Sequence, residues 1–319
     1  MHTSNSFYCK ICSNTTNNKF HQVKEMMFGF RDSFTYLECN ACGCLQLVNP
    51  PSNLSKYYPA QQYYSFNTIA DNGIKRVVKK YLLKRLLKYY LGQYTIIGKI
   101  LSNHYEYARK YAWVKHIKNV SFNARVLDIG SGSGKYLLEL YQVGFKNITG
   151  IDPYNPKIIQ LNKDVTIFNY DISQVKDKYD FIILNHSLEH MEDQDFIFMQ
   201  LKRVLNINGK ILVRIPITGG EAWEKYGVYW YQIDAPRHFF IHSLSSFTQL
   251  ITQHGFQIDS FQFDSNDYQF KFSEQYQQNL TLFDDANFTN ELYQKWRAKA
   301  QVLNKNETGD QASFIIKYI

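Results

Sequence analysis

Val126-Leu127-Asp128-Ile129-Gly130-Ser131-Gly132-Ser133-Gly134 is the stretch on which the fold turns. An apolar run carries one acidic residue, and glycines then fall at alternate positions. Glycine has no Cβ, so such a backbone can turn sharply and approach a ligand closely. The residues that follow, 135–143, read as a helix. A strand that feeds a glycine loop and then a helix N-terminus sits at the carboxyl edge of a sheet, where open α/β sheets bind ligands. Two common ligands fit this loop poorly. A phosphate-cradling P-loop needs G-x4-G-K-[ST], but Tyr136 follows Gly134-Lys135 and Ile129 stands where the first glycine belongs. The dinucleotide fingerprint G-x-G-x-x-G needs its third glycine at Lys135 or Leu137. What remains is D-x-G-x-G-x-G.

Downstream of Ala124, apolar strands alternate with helices. Strands are expected at 125–129, 147–151, 165–168, 180–185, 210–215, 257–263 and 313–318. Helices are expected at 135–143, 193–205 and 243–254, and a polar excursion separates the last two strands. The alternation predicts a Rossmann-like α/β domain over 119–319, its seven-stranded, mostly parallel sheet covered by helices on both faces.

With its neighbours in place, the glycine loop resembles the first motif of class I methyltransferases that use S-adenosylmethionine. Other matches follow in order over about 105–319. Asp152 ends the second strand, in Gly150-Ile151-Asp152-Pro153, and Asp171 follows the third, in Asn169-Tyr170-Asp171-Ile172. The fourth strand runs into Asn185-His186-Ser187-Leu188-Glu189-His190. The resemblance implies that Gly130, Ser131, Gly132 and Gly134 wrap the cofactor and that Asp152, with Pro153, meets its ribose hydroxyls. Asp171 and Ile172 would meet the adenine, with Asn185 and His186 completing the pocket. Asp128 reads as an organiser of the loop more than a direct ligand. Taken singly, Asp152 and Asp171 read equally well as helix caps.

All five cysteines lie in the first 44 residues. Cys9-Lys10-Ile11-Cys12 and Cys39-Asn40-Ala41-Cys42 are two C-x2-C knuckles separated by 26 residues. Paired knuckles suit one tetrahedral thiolate site, so Cys9, Cys12, Cys39 and Cys42 are expected to hold a structural Zn²⁺. Cys44 is expected in the core of this zinc-ribbon-like module, which occupies 1–55 and ends near Pro50-Pro51. A Tyr-rich connector and a basic helical region fill 56–118. There Ile74, Val78 and Tyr81 form an imperfect apolar stripe, with Leu83 and Leu87 among lysines.

The net charge of +8 suits an anionic partner without naming one. No apolar run is long enough to span a bilayer, and the N-terminus has no secretory pattern, so the expected location is cytoplasmic, with peripheral membrane contact left open. The cysteine knob, Asn49-Pro50-Pro51 and the Tyr-rich connector resemble bacterial glycan and sugar methyltransferases. That resemblance implies polysaccharide or natural-product biosynthesis, with methyl transfer to a hydroxyl of a nucleotide- or lipid-linked sugar.

His190 and His238 are the candidate catalytic bases, since imidazole titrates near neutrality. His190 would alternatively bond to backbone and shape the pocket. Trp230 is a candidate stacking face for the acceptor or else packed core, and Arg237 a candidate ligand for an acceptor phosphate. Glu189 would pair with Arg237 or orient a histidine. Two other functions compete: RNA methylation, with the basic 75–88 run as footprint, and a non-catalytic scaffold. No basic stripe interleaved with aromatics marks the catalytic edge, so nucleic acid is not the expected partner.

Overall fold

The structure is a computed structural model that describes residues 7–59, 74–104, 112–118 and 120–319. Most of the Tyr-rich connector lies outside the described residues.

The N-terminal residues form three strands, β1 (Lys19–Lys24), β2 (Ser33–Glu38) and β3 (Leu45–Leu47). Two helices follow, α1 (Ile74–Tyr90) and α2 (Ile96–Ser102). The larger domain then runs β4 (Val126–Ile129), α3 (Lys135–Val143), β5 (Ile148–Ile151), β6 (Ile159–Asn162), β7 (Val165–Phe168) and β8 (Tyr179–Asn185). It continues through α4 (Gln194–Val204), β9 (Leu205–Pro216), α5 (Glu221–Tyr226), β10 (Phe240–Ile241) and α6 (Leu244–Gln253). The chain closes with β11 (Phe256–Phe263), α7 (Tyr268–Gln277), α8 (Asn290–Lys305) and β12 (Gln311–Tyr318).

Eight strands make the main sheet, in the order β11-β12-β9-β8-β4-β5-β7-β6. The five from β9 to β7 are parallel, and β12 is antiparallel to both its neighbours. The expected Rossmann-like α/β sheet is present, with its direction of winding reversing at β4. The eighth strand is β6, which pairs antiparallel with β7 at the edge. It fills the connection from β5 to β7, where a crossover helix would otherwise lie.

Both faces of the sheet are buried, and the strands show it by alternation. Phe181 and Ile183 of β8 face one core, with Val126, Ile148 and α3; Ile182 and Leu184 face the other, with Ile197, Phe198 and Leu201 of α4. Against the first core packs α1, through Leu86, Leu87 and Tyr90. The stripe expected on this helix is therefore corrected: Val78 and Tyr81 are exposed, and Leu87 is buried. The excursion between β11 and β12 is not irregular. It folds into α7 and α8, whose Phe270, Trp296 and Leu303 join the larger core.

The small sheet is not closed by its own residues. Its order is β1-β2-β3-β10, and β10 comes from the loop region of the larger domain. Tyr36 Oη donates to the His238 carbonyl at 2.7 Å, and Thr218 Oγ1 to the Gly43 carbonyl at 2.7 Å. The change of architecture near residue 55 is thus not a gap in the core.

Candidate active site and cysteine cluster

The loop after β4 owes its path to its glycines. Gly130, Gly132 and Gly134 have φ of 74°, 52° and 73°, the left-handed region that residues with a Cβ avoid. At Gly130 a Cβ would stand 2.6 Å from the Cβ of Ser187, so the loops after β4 and β8 abut. At Gly134 a Cβ would collide with Ile167 and Leu161.

Asp152, at the end of β5, is buried and organised by this loop. Its Oδ2 accepts from the Gly132 N–H at 2.8 Å and its Oδ1 from the Tyr154 N–H at 3.0 Å. Each carboxylate oxygen keeps a lone pair for a further donor, such as a vicinal diol. Asn155 braces the arrangement by donating from Nδ2 to the Gly132 carbonyl at 2.9 Å. Burial raises the Asp152 carboxyl, while the Gly132 and Tyr154 N–H groups pull it down. Asp128 is pushed up to about 7 by burial and then by the charge of Asp152. Two carboxylates share this desolvated corner, and a cationic ligand would relieve both.

Asp171 follows β7 on the same carboxyl edge. Its Oδ1 caps a 3-10 turn, Ile172–Gln174, by accepting from the Ser173 N–H at 2.7 Å. The residue is exposed, and Ile172 behind it is buried. Pro153 is exposed and Ser131 half-buried. Asn185 ends β8, and His186, just beyond it, is held at φ 54° between two charged groups. Arg214 donates from Nη1 to His186 Nε2 at 3.1 Å, so the ring proton sits on Nδ1, 3.2 Å from Glu189 Oε1.

His190 and His238 come together beyond β8, their rings 4.6 Å apart and near perpendicular. His190 is half-buried and is bracketed by Tyr58 Oη, 3.3 Å from its Nδ1. Burial and then the neighbouring His238 hold His190 down to about 4, so it is neutral at pH 7. Tyr58 also stacks on Tyr154, with centroids 6.3 Å apart. An N-terminal residue therefore reaches Tyr154, whose N–H is bonded to Asp152. Nothing in the spacing of the sequence marks Tyr58 or Tyr154 out from the other tyrosines.

Two expected acceptor contacts are corrected. Trp230 is 1% exposed, and its indole N–H donates to Asp310 Oδ2 at 3.1 Å, so it is packed core. Arg237 is fully buried and most of its donors are committed within the protein. They reach Asp234 through Nε at 3.0 Å and Nη2 at 2.6 Å, Glu25 through Nη2 at 2.9 Å, and the Tyr57 carbonyl through Nη1 at 3.0 Å. Four of its five N–H donors are thus taken inside the protein, and with no exposure the side chain has no path to an acceptor phosphate. Nor does Glu189 pair with Arg237; its partner is His186.

Cys9, Cys12, Cys39 and Cys42 converge, with all four sulfurs within 4.8 Å of one another. The pairs Cys9–Cys42 and Cys12–Cys39 are 3.6 and 3.4 Å apart, and none is a disulfide. Tetrahedral thiolates at Zn–S distances of about 2.3 Å lie roughly 3.8 Å from each other, so the set fits one such ion. Cys44 is buried outside the set, as expected, with Sγ toward the Leu45 carbonyl.

Among known proteins, residues 104–260 match the family described as a methyltransferase domain. The chain is 31% identical over 142 residues to the mouse protein named EEF1A lysine methyltransferase 2, covering 38% of this chain and 57% of that one. It is 39% identical over 97 residues to the human protein of that name, covering 30% and 40%. The chain thus spans about half the length of these relatives. A solved SAM-dependent methyltransferase from Archaeoglobus fulgidus superposes with a TM-score of 0.43 at 16% identity, covering 69% of this chain and 99% of that one, too loose a likeness to carry an argument. Among the described residues no helix is long and apolar enough to cross a membrane.

Proposed function

We propose that the chain, which folds as an α/β Rossmann-like methyltransferase, transfers a methyl group from S-adenosylmethionine. One observation carries this reading: the glycine loop, Asp152 and Asp171 lie along one carboxyl edge, with Asp152 already held by the backbone of Gly132. Asp152 would accept both ribose hydroxyls on its free lone pairs. Asp171 and the backbone of Ile172 would meet the adenine, and Asp128 would favour the cationic end of the cofactor. Asn185 and His186, from the neighbouring strand end, would close the pocket.

The acceptor enters beside His190 and His238, under Tyr58. A sulfonium methyl is already activated, so the protein must align a nucleophile in line with the S–CH3 bond and accept its proton. A half-buried imidazole beside a buried one suits a neutral hydroxyl, which keeps the sugar-hydroxyl reading in place. The relatives' names favour a second reading, the amine of a protein lysine. Neither reading has a role for Trp230 or Arg237. Cys9, Cys12, Cys39 and Cys42 would hold Zn²⁺ with no open coordination position, so the ion supplies stability and no chemistry.

The test is calorimetric titration with S-adenosylmethionine and its demethylated product, followed by labelled-methyl transfer to sugar-nucleotide, glycolipid and lysine-peptide panels. Saturable binding is expected. A protein that binds neither nucleoside is a scaffold, and the proposal falls.

A further inference from the structure

We propose that Glu189, His190 and His238 form a second metal site, for a single divalent transition-metal ion, at the mouth of the acceptor cleft. The three side chains each offer a ligand atom, and these atoms lie within 4.8 Å of one another. Two segments bring them together. Glu189 and His190 occupy the 3-10 turn Leu188–His190 after β8, and the Phe239 N–H donates to the Glu189 carbonyl at 2.8 Å, pinning the His238 segment beside them.

The hydrogen bonds fix what each group has left to give. His190 Nδ1 lies 3.0 Å from the Arg237 carbonyl, and His238 Nδ1 lies 2.8 Å from the Gln232 carbonyl. A carbonyl only accepts, so both rings carry their proton on Nδ1 and keep a lone pair on Nε2. Backbone carbonyls orient metal-binding histidines in this way. Glu189 is 1% exposed; its Oε1 takes the His186 N–H, and its Oε2 has no partner. Asp234 Oδ2 lies 3.8 Å from His238 Nε2, but both Asp234 oxygens already accept from Arg237.

Each of the three clustered residues therefore keeps a free acceptor, Nε2 on each ring and Oε2 on Glu189. A buried carboxylate oxygen in that position calls for a cation. Two imidazoles and one carboxylate are the donor set of zinc, iron, cobalt and manganese centres that keep open positions. The half-buried side of His190, beneath Tyr58, is where an open position would meet an oxygen or nitrogen of the acceptor. The site is chemically distinct from the four-thiolate cluster, and its occupancy does not depend on which acceptor is used.

The purified full chain, with its cysteine cluster loaded with zinc, is titrated with Co²⁺ under reducing conditions. One further equivalent is expected, with weak visible d–d bands and no thiolate charge-transfer band. Glu189→Gln and His190→Ala should each weaken it at least tenfold while S-adenosylmethionine binding, measured on the same samples, persists. Failure of the cofactor reading would show in the second measurement and not the first. Absence of a second equivalent, undiminished binding in both variants, or a thiolate band accompanying that equivalent would overturn the proposal. Near-ultraviolet circular dichroism matching the parent establishes that the variants are folded.

Discussion

Replacing Arg237 by Met separates a structural strut from an acceptor contact. The guanidinium has no exposure and joins three parts of the chain. It reaches Asp234 on its own loop, Glu25 before the turn that leads from β1 to β2, and the Tyr57 carbonyl at the end of the N-terminal module. It also lies 5.0 Å over the ring of Phe28. Met fills much of the volume but leaves Asp234 without its cation. Glu25 keeps the Phe28 and Phe30 N–H groups, at 3.0 and 2.9 Å, and so is only partly abandoned. Removing one partner from a buried pair costs about 3–5 kcal/mol. The upper half of that range applies to Asp234 plus Glu25, and for a chain of this length it lowers Tm by roughly 5–7 °C. Arg237→Lys should fall between, since an ammonium cannot reproduce the fork to Asp234. The assay is thermal and urea unfolding of parent, Lys and Met forms, with S-adenosylmethionine affinity measured below the transition. Unchanged stability with lost transfer to a phosphorylated acceptor would refute the strut and restore Arg237 to the acceptor.

Other consequences are equally specific. Asp152→Ala removes an acceptor of charge-assisted hydrogen bonds worth about 1.5–3 kcal/mol, so S-adenosylmethionine binding should weaken roughly 10- to 100-fold by calorimetry; an unchanged affinity would remove Asp152 from the ribose. Asp128, held up to about 7, keeps its proton in the folded chain where the unfolded chain has lost it. Its contribution to stability therefore falls as pH rises from about 4 to 7, by roughly 4 kcal/mol at about 1.4 kcal/mol per unit, while affinity for the cationic cofactor rises over the upper part of that window. Asp128→Asn should flatten the pH dependence of both, and equal slopes in parent and variant would count against it. Gly134→Ala forces a Cβ into Ile167 and Leu161 at φ 73° and should cost about 2 kcal/mol or more in urea unfolding. Cys39→Ser, or chelation of the parent, should unfold the small sheet and lower Tm, with zinc content by mass spectrometry falling by one equivalent in the variant.

What the sequence disclosed follows from how each signal is encoded. Buried parallel strands need apolar residues on both faces, so Phe181–Leu184 announces itself without a partner. Glycines at positive φ and paired cysteine knuckles are likewise local, and the main sheet and the thiolate cluster were legible from them. Where the answer depends on what packs opposite, the reading failed. On α1, Leu87 sits among lysines in the wheel, yet α3 covers its side and leaves Val78 and Tyr81 in water. The polar excursion after β11 hid two helices because their apolar residues are interleaved with polar ones, and Phe270, Trp296, Ala300 and Leu303 reach the core only once the helices form. The strand β6 could not be foreseen from Ile159-Gln160-Leu161-Asn162, whose short alternation becomes a strand only because β7 offers an edge.

The region around His190 and His238 shows the same dependence more sharply. Trp230 and Arg237 look like recognition residues because aromatic rings and guanidinium groups are what recognition uses, and a sequence does not say whether their polar atoms are already taken. Asp310, 80 residues away, takes the indole N–H, and Glu25, 212 residues away, takes part of the guanidinium. The reverse holds for Glu189. It reads as a spare carboxylate in a loop, but His186 takes only one of its oxygens, and the other is left without a partner in the residue that clusters with His190 and His238. Arg237 is joined to that cluster through its own carbonyl, which fixes the His190 ring, while its side chain anchors Glu25 and Tyr57. Tyr58, the next residue, then reaches His190 and Tyr154. The N-terminal module and the His190–His238 pair are therefore mechanically one unit, and loss of the thiolate cluster should be felt at His190 before it is felt at Asp152.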